Sequence, residues 1–288
     1  MQVVDGGMIA FAAWHALKGK VDWPLTFQVP RMLRPLIGPS SDTWVVCWNG
    51  EHQWKRARWP AYRDRPEIWD EAGREDFEAM LGALSALGVV QYRTDHLEAD
   101  EEIAALVHRF AGQENIVLRS DDKDFMQLLS GRTWMEGRVR GTVRFARVRE
   151  ILGVTPAYVA DFLALSGDAA DGIPRILSPQ TAIRLIRSRG HVRDWIDRSL
   201  PVAEPIRRRI EEGREQLRLN LELVDLSAEA VRARGAPGEP MLDGWGDWSA
   251  ARTIGERTDV AWLARDAPPE EYAPLLAAGE RTRARLGA

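Results

Sequence analysis

Glu98-Ala99-Asp100-Glu101-Glu102-Ile103-Ala104-Ala105-Leu106-Val107-His108-Arg109-Phe110, followed by Ile116-Val117-Leu118 and then by Ser120-Asp121-Asp122-Lys123-Asp124, decides the fold. Ile103, Leu106, Val107 and Phe110 recur at the spacing of three and four that places them on one helical face. The spacing predicts a helix from Glu98 to Phe110, and the short apolar run after it predicts a buried strand. Acids follow that strand at once. Glu98 and Glu101 lie one helical turn apart and share a face.

The same alternation extends to both sides. Upstream, Val3-Val4 predicts a short strand delivering Asp5 to its end, with a helix from about Gly7. Trp44-Val45-Val46-Cys47-Trp48 predicts a buried central strand closed by the turn signal Asn49-Gly50. Phe77, Met80, Leu81, Leu84 and Leu87 predict a helix over 76–87, and Val89-Val90-Gln91-Tyr92 the next strand. Strands alternating with helices imply an α/β fold with a mostly parallel central sheet flanked by helices. Such sheets place their sites beyond the carboxyl ends of the strands, which gathers Asp5, Asn49, Asp122 and Asp124. Asp122 and Asp124 point the same way along an extended chain. Asp168 and Asp171, in Ser166-Gly167-Asp168-Ala169-Ala170-Asp171-Gly172-Ile173-Pro174, have the spacing of one helical turn.

Carboxylates in such number repel one another unless cations join them. Oxygen-only donors suit Mg²⁺ or Mn²⁺, and a pair of such ions can clamp the attacking and leaving oxygens of a phosphate. A single acid at a helix start is usually a cap or a dipole partner. Four acidic places in one chain are harder to explain that way.

Composition narrows the classes. The chain has 288 residues, a formal net charge of −4, and a single cysteine, Cys47, so an intramolecular disulfide framework is excluded. The apolar run Met8-Ile9-Ala10-Phe11-Ala12-Ala13-Trp14 lacks a basic leader and is too short to span a bilayer. A cytoplasmic protein without membrane attachment is the expectation. No GxxxxGK loop is present to cradle a triphosphate, and the five histidines form no nucleophile constellation with a serine.

Trp54-Lys55-Arg56-Ala57-Arg58-Trp59-Pro60-Ala61-Tyr62-Arg63-Asp64-Arg65 interleaves cations with aromatic rings. Cations neutralise phosphates and rings stack bases, so Trp54, Lys55, Arg56, Arg58, Tyr62, Arg63 and Arg65 are candidate nucleic-acid contacts. Pro60 argues against one straight helix.

Together, Val4-Asp5-Gly6, Trp48-Asn49-Gly50, Leu97-Glu98-Ala99-Asp100-Glu101, Ser120 to Leu129, Leu165 to Pro174 and Asn220 to Leu226 resemble the 5′ nucleases in order, spacing and chemistry. That family includes flap endonucleases, phage 5′-to-3′ exonucleases and the 5′ nuclease domain of bacterial DNA polymerase I. The resemblance implies a PIN-like core with a helical DNA-binding subdomain. It implies metal-dependent hydrolysis of DNA with a 5′ end, flap or branch, using two Mg²⁺ or Mn²⁺ ions and acting as a monomer. The metal ligands carried over are Asp5, Asn49, Glu98, Asp100, Glu101, Asp122, Asp124, Asp168 and Asp171. Lys123, set between two acids, either pairs with them or approaches the scissile phosphate.

The chain departs from the family pattern in several places. Asn49 stands where an aspartate is usual, Glu101 where the usual residue is one methylene shorter, and Ala12 where a basic residue is usual. Glu51, two residues after Asn49, could reach the same face along an extended chain. The glycine-rich hairpin after Ile173-Pro174 is replaced by Arg175-Ile176-Leu177-Ser178-Pro179-Gln180-Thr181-Ala182, which is shorter and lacks glycine. Arg175, with Gln180 and Thr181, is the expected substitute for its phosphate contacts.

The expected organisation is a nuclease core over 1–155 with an arch-like segment at about 54–75, and a helical DNA-binding subdomain over 156–233. A linker over 234–247 and a C-terminal tail over 248–288 that packs on the core complete it. The alternatives are a branched-nucleic-acid-binding protein with lost catalysis and a ribonuclease on the same core. The first would not cleave under any metal condition, and the second would prefer the strand bearing 2′-hydroxyls.

Overall fold

The computed structural model describes residues 1–36, 43–51, 53–63, 69–198 and 200–287. Its centre is a seven-stranded sheet in the order β6-β5-β4-β1-β2-β3-β7. The strands are β1 (Gln2–Asp5), β2 (Trp44–Cys47), β3 (Gln91–Tyr92), β4 (Ile116–Arg119), β5 (Thr133–Gly137), β6 (Gly141–Val143) and β7 (Pro240–Met241). Strands β5, β4, β1, β2 and β3 run parallel, and β6 and β7 are antiparallel at the two edges. The mostly parallel sheet expected from the alternation of elements is therefore present.

Burial follows from the period of two. Val3, Val45 and Cys47 face one core, and Val4, Trp44, Val46 and Trp48 face the other, so the central strands bury apolar side chains on both faces. One face is covered by α1 (Gly6–Leu17), α2 (Pro24–Leu33) and α4 (Glu71–Ala86). The other carries α5 (Ala99–Phe110), which begins one residue later than expected. On the α5 side, α3 (Gln53–Arg58) stops ahead of Pro60, as the proline requires. On the α4 side, Asp76 is 1% exposed and accepts from the Leu25 and Thr26 amides at 2.7 and 2.9 Å, so it caps the start of α2.

Helices α6 (Phe145–Leu152), α7 (Val159–Ser166), α8 (Pro179–Arg189), α9 (Glu204–Glu212), α10 (Arg214–Val224) and α11 (Ala228–Ala233) lie between β6 and β7 in the chain. Helix α7 packs on α8 and α10. The 3₁₀ turn Lys123–Leu128 packs against α5 and α7, so the helical region adjoins the acidic end of the sheet.

One region differs from the sequence reading. The stretch expected as a linker contains β7, which pairs Gln91 with Met241 and Tyr92 with Pro240. Glu102, fully buried on α5, accepts from the Gly238 amide at 3.0 Å and ties the same stretch to the body. The C-terminal segment, expected as a helical tail packed on the core, contains α12 (Trp248–Thr258) and α13 (Ala273–Leu286). Ala251, Leu263, Leu275 and Ala278 are fully buried in the core shared with α4, and the Trp44 amide donates to Thr282 Oγ1 at 2.9 Å. Among the described residues no helix is long and apolar enough to cross a membrane.

Candidate active site

Strands β1 and β4 pair in register, with Val4 opposite Arg119, so their carboxyl ends open side by side. Asp5 ends β1 and also caps α1, its Oδ1 accepting from the Met8 amide at 3.2 Å. The turn into α1 leaves no room for a side chain at Gly6, because a Cβ there would lie 2.3 Å from the Trp48 ring. Ser120, just past β4, donates its hydroxyl to Asp5 Oδ2 at 2.8 Å and accepts from the Asp122 amide at 3.1 Å. Asp122 in turn accepts from the Asp124 amide at 2.9 Å. Asp122 and Asp124 therefore enter through a cap and a 3₁₀ turn, not along an extended chain. The sequence reading gave Ser120 no role of its own, although a hydroxyl beside the acidic run was its signal.

Asp168 and Asp171 arrive from α7. The helix ends at Ser166, Gly167 turns the chain with φ +71°, and Asp168 and Ile173 exchange backbone hydrogen bonds at 3.0 and 2.8 Å. The pair sits on a closed turn and not on the helix that its spacing suggested. Asp168 Oδ1 accepts from the Ala170 amide at 3.0 Å, fixing the carboxylate. Asn220, fully buried on α10, donates to the carbonyls of Ala164 and Pro174, both at 2.8 Å, and so holds both sides of the turn.

These elements bring one oxygen each from Asp124, Asp168 and Asp171 within 4.8 Å of one another. Lys123 contacts Asp168 and lies 3.4 Å from Asp124. Asp124 Oδ1 is buried without a hydrogen-bond partner. A buried carboxylate oxygen with no hydrogen bond, facing only the Lys123 ammonium at 3.4 Å and set beside two further carboxylates, is the donor set that a hard divalent cation takes, so the residues fit the implied metal. Burial, with Asp122 beside it and Lys123 opposing, pushes the Asp124 carboxyl up to about 7. Burial likewise raises Asp5 against the Ser120 hydrogen bond, and burial with the charge of Glu98 raises Asp100 well above the carboxylate range.

Glu98 forms the other side of the site. It is fully buried and takes the Tyr62 hydroxyl at 2.9 Å, the Lys55 ammonium, and Arg63 Nη1 at 3.0 Å. Arg63 also places Nε 2.6 Å from Asp171, so one guanidinium bridges Glu98 and the acid turn. Arg63 holds φ +45°, an uncommon backbone for a side chain of its size. The same contact stitches backbone to backbone: the Arg63 amide donates to the Asp171 carbonyl at 3.1 Å and the Trp59 indole to the Gly172 carbonyl at 3.1 Å. Gly172 permits this approach, since its φ is +71° and a Cβ there would meet the Ala61 carbonyl oxygen at 2.5 Å.

The basic segment is thus placed differently from its sequence reading. Lys55 and Tyr62 are 3% and 1% exposed and serve buried Glu98, because two carboxylates inside the fold demand cations and donors there. For Lys55, burial opposes the charge, but Glu101 and Glu98 outweigh it and hold the ammonium well above its usual range. Arg63 is an interior ion-pair partner as well. Trp54 is half-buried against the core with the Arg234 guanidinium 4.2 Å from its ring centroid. Arg56 and Arg58 remain exposed, Arg58 on both oxygens of Glu222. Arg65 lies outside the described residues.

Glu101 also departs from the expected ligand set. Fully buried, it accepts from the Glu98 amide at 2.9 Å and faces Lys55 and Arg234 at 3.3 and 3.5 Å, behind the acids. Asn49 Oδ1 accepts from the Ala99 amide at 2.9 Å and so braces the start of α5. Glu51 is exposed on the turn beyond it. In the region of the expected hairpin, Arg175 is exposed with Nε on the Ser166 carbonyl at 3.2 Å, and Gln180 is exposed in the first turn of α8. The Thr181 amide is capped by Ser178.

Residues 1–153 match the family model described as 5′-3′ exonuclease, N-terminal resolvase-like domain. The chain belongs to this family. DNA polymerase I of Pseudomonas aeruginosa is 29% identical over 278 residues, covering 84% of this chain and 29% of the polymerase. Flap endonuclease Xni of Edwardsiella ictaluri is 26% identical over 209 residues, covering 70% of this chain and 81% of that protein. Among solved structures, a bacteriophage T5 flap endonuclease pseudo-enzyme–product complex with DNA and metal ions superposes with a TM-score of 0.66 at 20% identity. That match covers 97% of this chain and 98% of the phage protein, and it shows the shared fold. The family and its neighbours are 5′-3′ exonucleases and flap endonucleases. The chain spans less than a third of the polymerase relatives it matches.

Proposed function

We propose that this 5′-3′ exonuclease family member hydrolyses phosphodiester bonds of DNA bearing a 5′ end, a flap or a branch, with Mg²⁺ or Mn²⁺ bound at the acidic cluster. The observation that carries the reading is the convergence of Asp124, Asp168 and Asp171 on one point, with Asp124 Oδ1 buried and accepting no hydrogen bond, at the carboxyl end of a parallel sheet. Those three hold one ion. Asp5, Asp100 and Asp122 serve a second, with Asn49 removing one charge from that side. Bound there, the ions supply a nucleophilic water and charge neutralisation at the phosphate.

The chain's own groups do the rest. Ser120 orients Asp5, Asn220 and Gly172 fix the turn that presents Asp168 and Asp171, and Lys123 offers a cation at the site mouth. Lys55 and Arg63 compensate Glu98 and keep the acids together before substrate arrives. Exposed Arg56 and Arg175, with Gln180, Thr181 and the arginines of α8 and α9, contact duplex phosphates. Residues 1–155, completed by β7, α12 and α13, form the core, 156–233 the DNA-binding region, and the monomer works in the cytoplasm.

The test is cleavage of a 5′-labelled flap duplex and its RNA-flap counterpart with Mg²⁺, Mn²⁺ or chelator, alongside Asp124→Asn. Metal-dependent DNA cleavage lost in the variant is the expected result. Binding without cleavage under every metal condition would refute it. That outcome would favour a structure-binding protein, for which Asn49 and the cations on Glu98 already speak.

A further inference from the structure

Arg234 lies in the stretch first read as a linker, and neither the metal cluster nor the DNA contacts use it. Its side chain is 11% exposed. Nη1 donates to the Asp225 carbonyl at 2.8 Å and Nη2 to the Glu222 carbonyl, so the guanidinium closes the end of α10. The same group covers the face of Trp54 on α3 at 4.2 Å. It also stands 3.5 Å from Glu101 Oε1, the oxygen that Lys55 approaches to 3.3 Å. From the outer side, Arg58 on α3 grips the Glu222 carboxylate with two hydrogen bonds.

We infer that Arg234 is a positioning residue for the active site, locking α3 to the end of α10 and sharing Glu101 so that Lys55 stays on Glu98. The charge balance supports this. Glu98 and Glu101 are both fully buried, and Lys55 sits between them. Arg63 flanks Glu98 on one side, and Arg234 flanks Glu101 on the other. Without Arg234, Glu101 would draw the ammonium away from Glu98, and the α3 helix would lose its cover over Trp54. Arginine is required for this, because one planar group must stack on a ring while donating to two carbonyls, which an ammonium cannot do.

This inference deepens the nuclease reading and rests on it for its consequence in catalysis, but its central test does not need activity. The chain has only four lysines, Lys18, Lys20, Lys55 and Lys123, so acetylation by an amine-reactive reagent can be followed at each by mass spectrometry. Wild-type Lys55 should be protected relative to exposed Lys20. Arg234→Gln should raise its labelling about tenfold, through local opening of α3, and leave Lys123 unchanged. Arg234→Lys, which keeps the charge, should give an intermediate rise and carries the same comparison if the glutamine variant does not fold. In flap cleavage, Arg234→Gln should lower kcat by about ten- to a hundredfold, with KM little changed.

Unchanged Lys55 labelling together with a lower Tm would overturn the inference and leave Arg234 as a helix-end brace. Raised labelling in the variant of a wild-type protein that cleaves no flap DNA would sink the nuclease reading and leave the role of Arg234 standing.

Discussion

Replacing Lys55 with methionine separates the two roles that a cation in this basic segment can have. The residue is 3% exposed and meets Glu98, Glu101 at 3.3 Å and the Tyr62 hydroxyl at 3.4 Å. Methionine keeps much of the volume and removes the charge. Breaking a buried pair from one side costs roughly 3–5 kcal/mol, because the remaining carboxylate stays uncompensated in a poorly solvated place. Here Glu98 retains Arg63 and Tyr62, and Glu101 retains Arg234, so the loss should fall near the lower end, about 3 kcal/mol. Against a total stability of about 5–15 kcal/mol, that is easily measured by equilibrium urea unfolding followed by fluorescence. Adding Glu98→Gln in the same chain should recover at least half of the loss, since the orphaned charge is then gone. A loss below about 1 kcal/mol with weakened DNA binding would mean that Lys55 faces solvent and grips phosphate, and the interior assignment would be refuted.

Further outcomes follow from the site. Asp124, Asp5 and Asp100 all have carboxyls raised by burial, so the metal-free fold is favoured while they are protonated. Stability in chelator should therefore decline as pH rises from near 4 to about 7, and Asp124→Asn should flatten the decline in urea titrations at each pH. Divalent ion at a hundredfold excess over Kd should stabilise the protein by about 2.7 kcal/mol in the same titrations. Asp168→Asn, which can still accept from the Ala170 amide, should remove that gain. Asn220→Ala should cost about 2–4 kcal/mol through its two lost buried hydrogen bonds and should weaken Mn²⁺ binding measured by calorimetry. Arg56→Ala and Arg175→Ala should each lower DNA affinity and reduce the slope of log K against log salt by about one. An unchanged slope would remove that arginine from the interface.

What was legible in the sequence follows from which forces act locally. Strands β1, β2 and β4 and helices α4 and α5 were readable because burial on both faces of a parallel sheet leaves continuous apolar runs, and one-sided burial leaves a helical period. The places of Asp5, Asp122 and Asp124 just past β1 and β4 were readable because the carboxyl ends of parallel strands converge. The destination of Lys55, Tyr62 and Arg63 was not, since their partners Glu98 and Asp171 are distant in sequence and a basic, aromatic run carries no sign of burial. The spacing of Asp168 and Asp171 fits a helical turn equally well, and only the positive φ of Gly167 and the Asp168–Ile173 bridge decide otherwise. Strand β7 has two residues, one of them proline, below what any alternation pattern can register.

That small strand sets a limit on dissection. The family match ends at residue 153, yet the edge of β3 is covered by Pro240 and Met241. A fragment cut at that match would present a bare parallel edge beside uncovered apolar faces, an invitation to strand pairing between copies. Its proline makes β7 a good terminator, because Pro240 offers no amide for another strand to use. The family-matching half of this chain is therefore not a portable module, and fusions or truncations should keep the last forty-odd residues attached to remain dispersed in solution.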